Sequence, residues 1–383
     1  MKVIADANIP CVAECFGSIG EVRTVPGRQI TRELLMDAEV LLVRSITAVD
    51  EKLLAGTAVR FVGTATIGFE HVDVQYLAGH NIGFSSAPGS NANSVAEYVV
   101  AALLWVAEKH NIQLDGKSIG IVGVGNVGSK VEQKCRVLGM RPYLNDPPLQ
   151  RQTGQAKYRP LEELFDCDFI TLHTPLTFTG IDRTYHLADR HFFTSLKDGC
   201  GFINTARGAV ADTEALKAAI ESNRLGPVVL DVWENEPDID VELLRMVDVA
   251  TPHIAGYSLD GKIRGMIMIY KAACEFFGVE PRFDVDDFLP AAQTPEVRLN
   301  PQHGSEQEML RETVRQAYDI ERDDSNMRGL LAVPVGERPK LFDDLRKNYP
   351  VRREFYNTTV RVGDTSGAIA RKLSGIGFKV VQE

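Results

Sequence analysis

Apolar positions in this chain fall in short unbroken runs separated by helix- or turn-forming stretches, and that alternation predicts its elements. Residues 3–5, 40–43, 59–62 and 82–85 read as strands, with helices expected over 32–36, 49–54 and 71–78 between them. Runs without a polar residue every second position suit strands covered on both faces, as in a parallel sheet. The stretch from residue 1 to about 90 is therefore expected to be an α/β domain in its own right.

A long helix is predicted over 94–110, opened by a capping box between Ser94 and Glu97. Its centre, 98–107, is apolar almost all round, which places it in the interior between two domains. The run 119–124 then reads as a buried strand, followed by Gly123, Gly125 and Gly128 at the turn into a helix. Val127, Val131, Cys135 and Leu138 recur on one face of that helix, Gly139 stops it, and a second strand ends at Asp146. Strand, glycine trio, helix and terminal acid form the dinucleotide fingerprint in its proper context. Gly123 permits the turn, Gly125 leaves room for a pyrophosphate, and Gly128 lets helix and strand pack. The helix N-terminus, at Asn126 and Val127, offers N–H groups and a positive dipole end to phosphate. Asp146 is placed to accept from ribose hydroxyls and to repel the extra phosphate of NADP, which selects NAD.

Further α/β repeats follow: helices over 161–165, 192–196 and 212–221, and strands over 168–173, 201–204, 228–231 and 247–250. Polar residues sit just past those strands, namely Thr174, Arg207, Asp231 and His253, and are expected along one carboxyl edge where a nicotinamide would lie. A second apolar helix over 261–277, with Met266, Ile269, Tyr270 and Ala273 inward, is expected to return to the first domain and leave a hinged cleft. The acidic stretch 284–290 reads as a linker. Beyond it, strands near 297–299, 355–362 and 378–381 and helices from Ser305, over 341–347 and near 366–373 describe a small α+β module. Such a module is marginal alone, so it is expected either to dimerise or to bind a regulatory ligand. Its cluster Arg338, Lys340, Arg346, Lys347, Arg352 and Arg353 reads as a solvated face rather than a phosphate site.

Composition narrows the function. A 383-residue chain suggests two or three domains. A net charge of -10 and a pI near 5.4 disfavour nucleic acid and anionic membrane as partners, while leaving room for a phosphorylated metabolite in a local basic pocket. The opening Met-Lys-Val-Ile-Ala-Asp lacks the apolar core of a signal peptide, and 98–107 is too short to cross a bilayer, so a cytoplasmic protein is expected. Cys11, Cys15, Cys135, Cys167, Cys200 and Cys274 form no Cys-x-x-Cys pair and read as reduced structural residues; no metal site is expected.

For chemistry, His253 follows a strand end and a proline and can move a proton near neutrality. Glu236 is a candidate partner for its other ring nitrogen, and Arg207 offers the planar fork that binds a carboxylate. His173 competes for the role of base. Each of these residues also has a purely structural reading, as do the hydroxyls at Arg44-Ser45 and Gly63–Gly68, which serve equally as caps and turns or as holders of a small anion.

Together, Gly123-Val-Gly-Asn-Val-Gly128, Asn204-Thr-Ala-Arg-Gly208, Asp231-Val-Trp-Glu-Asn-Glu-Pro237 and Pro252-His-Ile-Ala-Gly256 resemble the signatures of the D-isomer-specific 2-hydroxyacid dehydrogenases. The resemblance implies a Rossmann-type NAD domain (94–256) inserted in a flavodoxin-like α/β substrate domain (1–93 and 257–284), plus a small C-terminal α+β dimerisation domain (285–383). It implies that Arg207 binds the substrate carboxylate, that Glu236 raises the basicity of His253, and that His253 is the acid/base. Arg44-Ser-Ile-Thr47, Gly63–Asp73 and Pro252–Lys262 are similar to one branch of that family, a homodimer acting on a small phosphorylated hydroxy acid in vitamin B6 synthesis. In that branch Ser45, Thr66, Arg207 and Tyr257 correspond to substrate contacts. Gly123, Gly125, Asn126, Val127, Gly128, Asp146, Thr174, Ala206, Asp231 and Gly256 correspond to NAD contacts, and Arg44 is the nearest sequence candidate for the distal phosphate. Other branches carry regulatory C-terminal modules, and an NAD(H)-sensing interaction protein is the alternative from another class.

Overall fold

The computed structural model describes residues 1–299, 304–363 and 367–382. The chain divides into two compact units, Met1–Asn91 with Ser258–Pro290, and Ala92–Tyr257 with Ala291–Glu383.

The first unit is a five-stranded parallel sheet of β1 (Lys2–Asp6), β2 (Glu21–Val25), β3 (Val40–Val43), β4 (Phe61–Thr64) and β5 (Gly83–Ser85), ordered β2-β1-β3-β4-β5. β3 and β4 are buried along their whole length, as their unbroken apolar runs require. β4 begins two residues later than expected, and β2 is absent from the sequence expectation. Glu-Val-Arg-Thr-Val is mostly solvent-facing at the sheet edge, so it carries no apolar run to read. One face is covered by the helix Leu259–Phe277, whose Met266, Ile269, Tyr270 and Ala273 are buried against Val3, Ala5, Val40, Leu42 and Phe61. Ser258 caps this helix by accepting from Gly261 N at 2.8 Å. The stretch expected as a linker is a short 3-10 turn, Val285–Phe288, with Phe283 against Tyr270 and Phe288 (6.3 and 5.4 Å between ring centres). It therefore belongs to the first unit.

The second unit holds a six-stranded parallel sheet: β6 (Ser118–Val122), β7 (Arg141–Asn145), β8 (Phe169–Leu172), β9 (Cys200–Asn204), β10 (Leu225–Leu230) and β11 (Val249–Ala250), ordered β11-β10-β9-β8-β6-β7. The order reverses at β6, which places a crevice at the carboxyl ends of β6 and β8. Gly123, in the left-handed region (φ +85), forms that crevice: a Cβ there would meet the His173 carbonyl at 2.8 Å.

The long helix runs Ala92–Lys109, and the expected capping box is not at its start. Ser94 and Glu97 lie inside it, buried, and reach the C-terminal segment instead. Ser94 Oγ donates to Glu354 Oε1 at 2.7 Å, and Glu97 Oε1 accepts from Phe355 N at 2.9 Å. Burial pushes the Glu97 carboxyl up to about 8.

The C-terminal segment carries β12 (Glu296–Leu299), β13 (Thr359–Val362) and β14 (Lys379–Gln382), parallel and ordered β12-β13-β14. Helices Glu306–Ala317, Ile320–Arg328, Arg338–Lys347 and Gly367–Ile376 accompany them; the expected start of the last, Ser366, lies outside the described residues. The expected box at Ser305 and Glu308 is present. This segment shares one core with the Ala92–Lys109 helix: Leu310, Val314, Tyr318, Phe355, Ile369 and Leu373 join Tyr98, Val99 and Ala102. The solvated basic face is also corrected. Arg352 and Arg353 are buried, Arg352 donates to Ser94 O at 2.5 Å and lies 4.1 Å from the Tyr318 ring centre, and Arg346 reaches Tyr257.

Candidate active site

β11 ends at Ala250, and the loop that follows is shaped by a buried relay. Tyr98, on the Ala92–Lys109 helix, donates its hydroxyl proton to Thr251 Oγ1 (2.7 Å), which donates to Asp231 Oδ1 (2.6 Å). Asp231 also accepts from Ile254 N (2.7 Å) and Ala255 N (3.0 Å), and its backbone carbonyl accepts from His253 N (2.6 Å). Only 1% of Asp231 is exposed, and burial pushes its carboxyl up against the pull of nearby His253 and these donors. Its evident work is to fold the histidine loop. The result is a left-handed His253 (φ 56), a conformation costly for a residue with a Cβ and held here by the surrounding bonds.

That backbone turns the imidazole toward Glu236, with Nδ1 2.8 Å from Oε2. The other carboxylate oxygen accepts from Trp233 N at 2.7 Å. Burial alone would raise the Glu236 carboxyl, but His253, the Trp233 amide and the Arg346 guanidinium outweigh it and hold it below the usual range. An ionised carboxylate only accepts, so Nδ1 carries the hydrogen and Nε2 is left as the proton acceptor.

Arg207 follows β9 on a turn clamped by buried Asn204, whose Oδ1 accepts from Ala206 N (3.0 Å) and whose Nδ2 donates to Arg207 O (3.1 Å). Gly208 lets the turn pass against the Trp233 backbone, where any side chain would collide. Arg207 and Glu236 are thus carried by neighbouring loops. His173, the competing base, has its two nitrogens engaged by the Thr171 and Thr205 hydroxyls at 3.0 and 3.2 Å, and burial pushes it down to about 3, which makes it a weak proton acceptor.

The crevice at β6 and β8 fits a dinucleotide. Nothing lies within 4 Å of where a Gly125 Cβ would be, so the backbone is open to a pyrophosphate at the N-terminus of the helix Asn126–Val137. Thr174 Oγ1 is buried and bonded to nothing. Asp146 has a structural task as well, accepting from Val124 N (2.8 Å) and Leu149 N (2.9 Å). Ala206 follows the end of β9 by two residues, and Gly256 lies in the loop after β11. On the first unit, Ser45 is exposed past β3, while the Thr66 hydroxyl donates to Gly68 O (2.9 Å) beside Thr64.

Sequence reasoning missed Asn204, Thr251 and Arg346. Asn204 opens the Asn204–Gly208 signature and Thr251 follows a strand, but nothing in the sequence shows which backbone groups they bond; Arg346 sits among basic residues that read as solvated.

Two family models match the chain. The D-isomer specific 2-hydroxyacid dehydrogenase NAD binding domain matches residues 91–255, and a domain of unknown function matches residues 288–377. An erythronate-4-phosphate dehydrogenase of Escherichia coli is 45% identical over 383 residues, covering 100% of this chain and 99% of its own, and one of Escherichia fergusonii is 44% identical with the same coverage. Among solved structures, an NAD-bound 3-phosphoglycerate dehydrogenase of Entamoeba histolytica superimposes with TM-score 0.63 at 25% identity, covering 74% of this chain and 98% of its own. A D-lactate dehydrogenase of Aquifex aeolicus shares the fold, with TM-score 0.60, 24% identity and 73% of this chain covered against 96% of its own.

Proposed function

Because the chain belongs to the D-isomer-specific 2-hydroxyacid dehydrogenases, we propose that it oxidises 4-phospho-D-erythronate to 2-oxo-3-hydroxy-4-phosphobutanoate, a step of pyridoxal phosphate synthesis. The observation that carries this reading is the fixed Glu236–His253 pair beside the Arg207 turn, in a chain matched along its full length by erythronate-4-phosphate dehydrogenases.

Bound NAD would supply the acceptor for the hydride that leaves C2 of the substrate. Gly123, Gly125, Asn126, Val127, Gly128, Asp146, Thr174, Ala206, Asp231 and Gly256 are the residues proposed to hold it. Arg207 binds the substrate carboxylate through its planar fork and so fixes the C2 hydroxyl against His253 Nε2. His253 Nε2 accepts the hydroxyl proton as the C2–H bond breaks, and the electron pair of the O–H bond becomes the second bond of the 2-oxo group. Glu236 keeps the ring oriented and stabilises the imidazolium that forms. Ser45, Thr66 and Tyr257 are proposed as further substrate contacts.

The same reading makes the protein a cytoplasmic homodimer joined through its C-terminal segment. No helix among the described residues is long and apolar enough to cross a membrane. Sedimentation at micromolar concentration tests the dimer.

The activity is tested by incubating the protein with NAD and, separately, 4-phosphoerythronate, erythronate, 3-phosphoglycerate and D-lactate while following reduced-cofactor absorbance. Turnover with 4-phosphoerythronate well above the others is expected. Preference for 3-phosphoglycerate would transfer the assignment to that substrate, and no turnover with any would end the enzymatic reading.

A further inference from the structure

The loop that carries His253 is held from the far side by the C-terminal segment, at both of its ends. At its start, Ala250 belongs to β11, the edge strand, whose outward amide would otherwise go unpaired; Asp324 Oδ1 accepts from Ala250 N at 2.8 Å. Arg328 bonds Asp324 Oδ2 at 2.8 Å and donates to the Leu244 and Val247 carbonyls (3.0 and 2.9 Å). At the loop's other end, Arg346 Nη2, on the helix Arg338–Lys347, donates to the Tyr257 hydroxyl at 3.1 Å. Its guanidinium carbon lies 5.7 Å from the Tyr257 ring centre and 6.0 Å from that of Phe342, a buried residue one turn earlier on the same helix. Tyr257 also packs edge-on against Tyr349 (6.0 Å), whose hydroxyl donates to Asp323 Oδ2 at 2.6 Å.

We propose that Arg346 is a positioning residue of the active site: it fixes Tyr257 at the end of the His253 loop and places a permanent cation beside the Glu236–His253 pair. The C-terminal segment then completes the catalytic site in addition to any role in assembly. Glu236 favours the charged form of Arg346, and Arg346 joins His253 and the Trp233 amide in holding Glu236 below the usual carboxylate range. The charged or titratable groups placed around the pair are Arg346 from the C-terminal helix, Asp231 beneath the loop, Tyr257 at its end and Arg207 on the neighbouring turn. Arg346 Nε is buried and hydrogen-bonded to nothing, so the side chain is placed by its Tyr257 bond and its stacking rather than by an ion-pair fork.

The inference rests on the 2-hydroxyacid dehydrogenase reading, and the test separates the two. Arg346→Met keeps the stem and removes the charge; Arg346→Lys keeps the charge. A lost cation makes the imidazolium easier to form, so in Arg346→Met the acid limb of the kcat/KM profile for 4-phosphoerythronate should move upward by about one pH unit. At pH 7 kcat should fall about tenfold with the KM for NAD unchanged. Arg346→Lys should restore the limb, which a merely structural arginine would not require. Titration of the His253 ring by NMR, which needs no turnover, should move upward in Arg346→Met and return in Arg346→Lys. An unmoved ring titration in a folded Arg346→Met protein overturns the proposal even if the wild type proves inactive. A loss confined to the KM of the phosphorylated substrate, with erythronate oxidation untouched, overturns it too, because Arg346 would then be a phosphate ligand.

Discussion

Glu236 Oε2 lies 2.8 Å from His253 Nδ1 while the other oxygen of the same carboxylate takes the Trp233 amide at 2.7 Å. The carboxylate is thus tied at one end to its own loop and at the other to a histidine held in a left-handed backbone, so neither partner can drift without breaking a bond to the main chain. Orientation at the reacting atoms is worth orders of magnitude in rate, and this is the cheapest way a fold supplies it.

Replacing Glu236 by Gln keeps a hydrogen-bond acceptor and removes the charge. Turnover should fall about 10- to 100-fold, or about 1.4 to 2.7 kcal/mol of barrier, with substrate KM nearly unchanged. Glu236 is held below the usual carboxylate range, so it stays ionised as pH falls toward 5, and loss of oxidation there reports protonation of the base. Removing the anion makes imidazolium harder to form, so the acid limb of Glu236→Gln should move to lower pH, opposite to Arg346→Met. His253→Asn should cost about 100- to 10,000-fold in kcat. Full turnover in the Asn enzyme across pH 6–9 would remove His253 from the chemistry.

Arg207 sits on a turn defined to within a side chain's width by Asn204 and Gly208. Arg207→Lys retains charge but loses the planar pair of donors, and a lysine cannot hold a carboxylate in one orientation. Steady-state kinetics should show kcat/KM reduced about 100-fold or more, through both kcat and KM. A change in KM alone would mean that Arg207 attracts the substrate without orienting it.

Asp146 both caps the helix Pro147–Thr153 and stands at the end of β7, where a ribose would lie. Asp146→Ser separates these tasks, since serine caps nearly as well but carries no charge. The preference for NAD over NADP should drop at least about tenfold, equivalent to about 1.4 kcal/mol, with a modest loss of thermal stability because serine keeps the cap and not the bond from Val124 N. An unchanged preference would leave Asp146 with its bonds from Leu149 N and Val124 N alone.

Much of this architecture was legible because period and position coincide with chemistry. The runs at 40–43 and 119–124 read as doubly covered strands, the second ending at Val122 where the glycine turn begins, and the polar residues just beyond β8 to β11 had to share one edge once those strands were parallel. What stayed hidden depended on contacts distant in sequence. Ser94 and Glu97 have the spacing of a capping box, and only the approach of Glu354 and Phe355 turns them into buried anchors. Arg346, Arg352 and Arg353 look solvated beside Arg338, Lys340 and Lys347, because a one-dimensional pattern does not show that a helix and an aromatic cluster close over them.

Those same contacts decide whether the C-terminal segment can be removed. Its sequence boundary suggests a detachable module, yet Leu310, Val314, Tyr318, Phe355, Ile369 and Leu373 share a core with Tyr98, Val99 and Ala102. Each large side chain uncovered forfeits about 1.5 to 3 kcal/mol, and a few of them equal the whole stability of an ordinary domain, about 5 to 15 kcal/mol. Truncation would also leave Glu97 without the Phe355 amide, and Asp324 would no longer cover the β11 edge. A chain ending at Pro290 should therefore be insoluble or bind a hydrophobic dye without a cooperative melt, rather than persist as an active monomer. Circular dichroism melting and dye fluorescence of that truncation decide the point: a sharp transition with NAD binding retained would show that the core of the second unit closes without its last strands and helices.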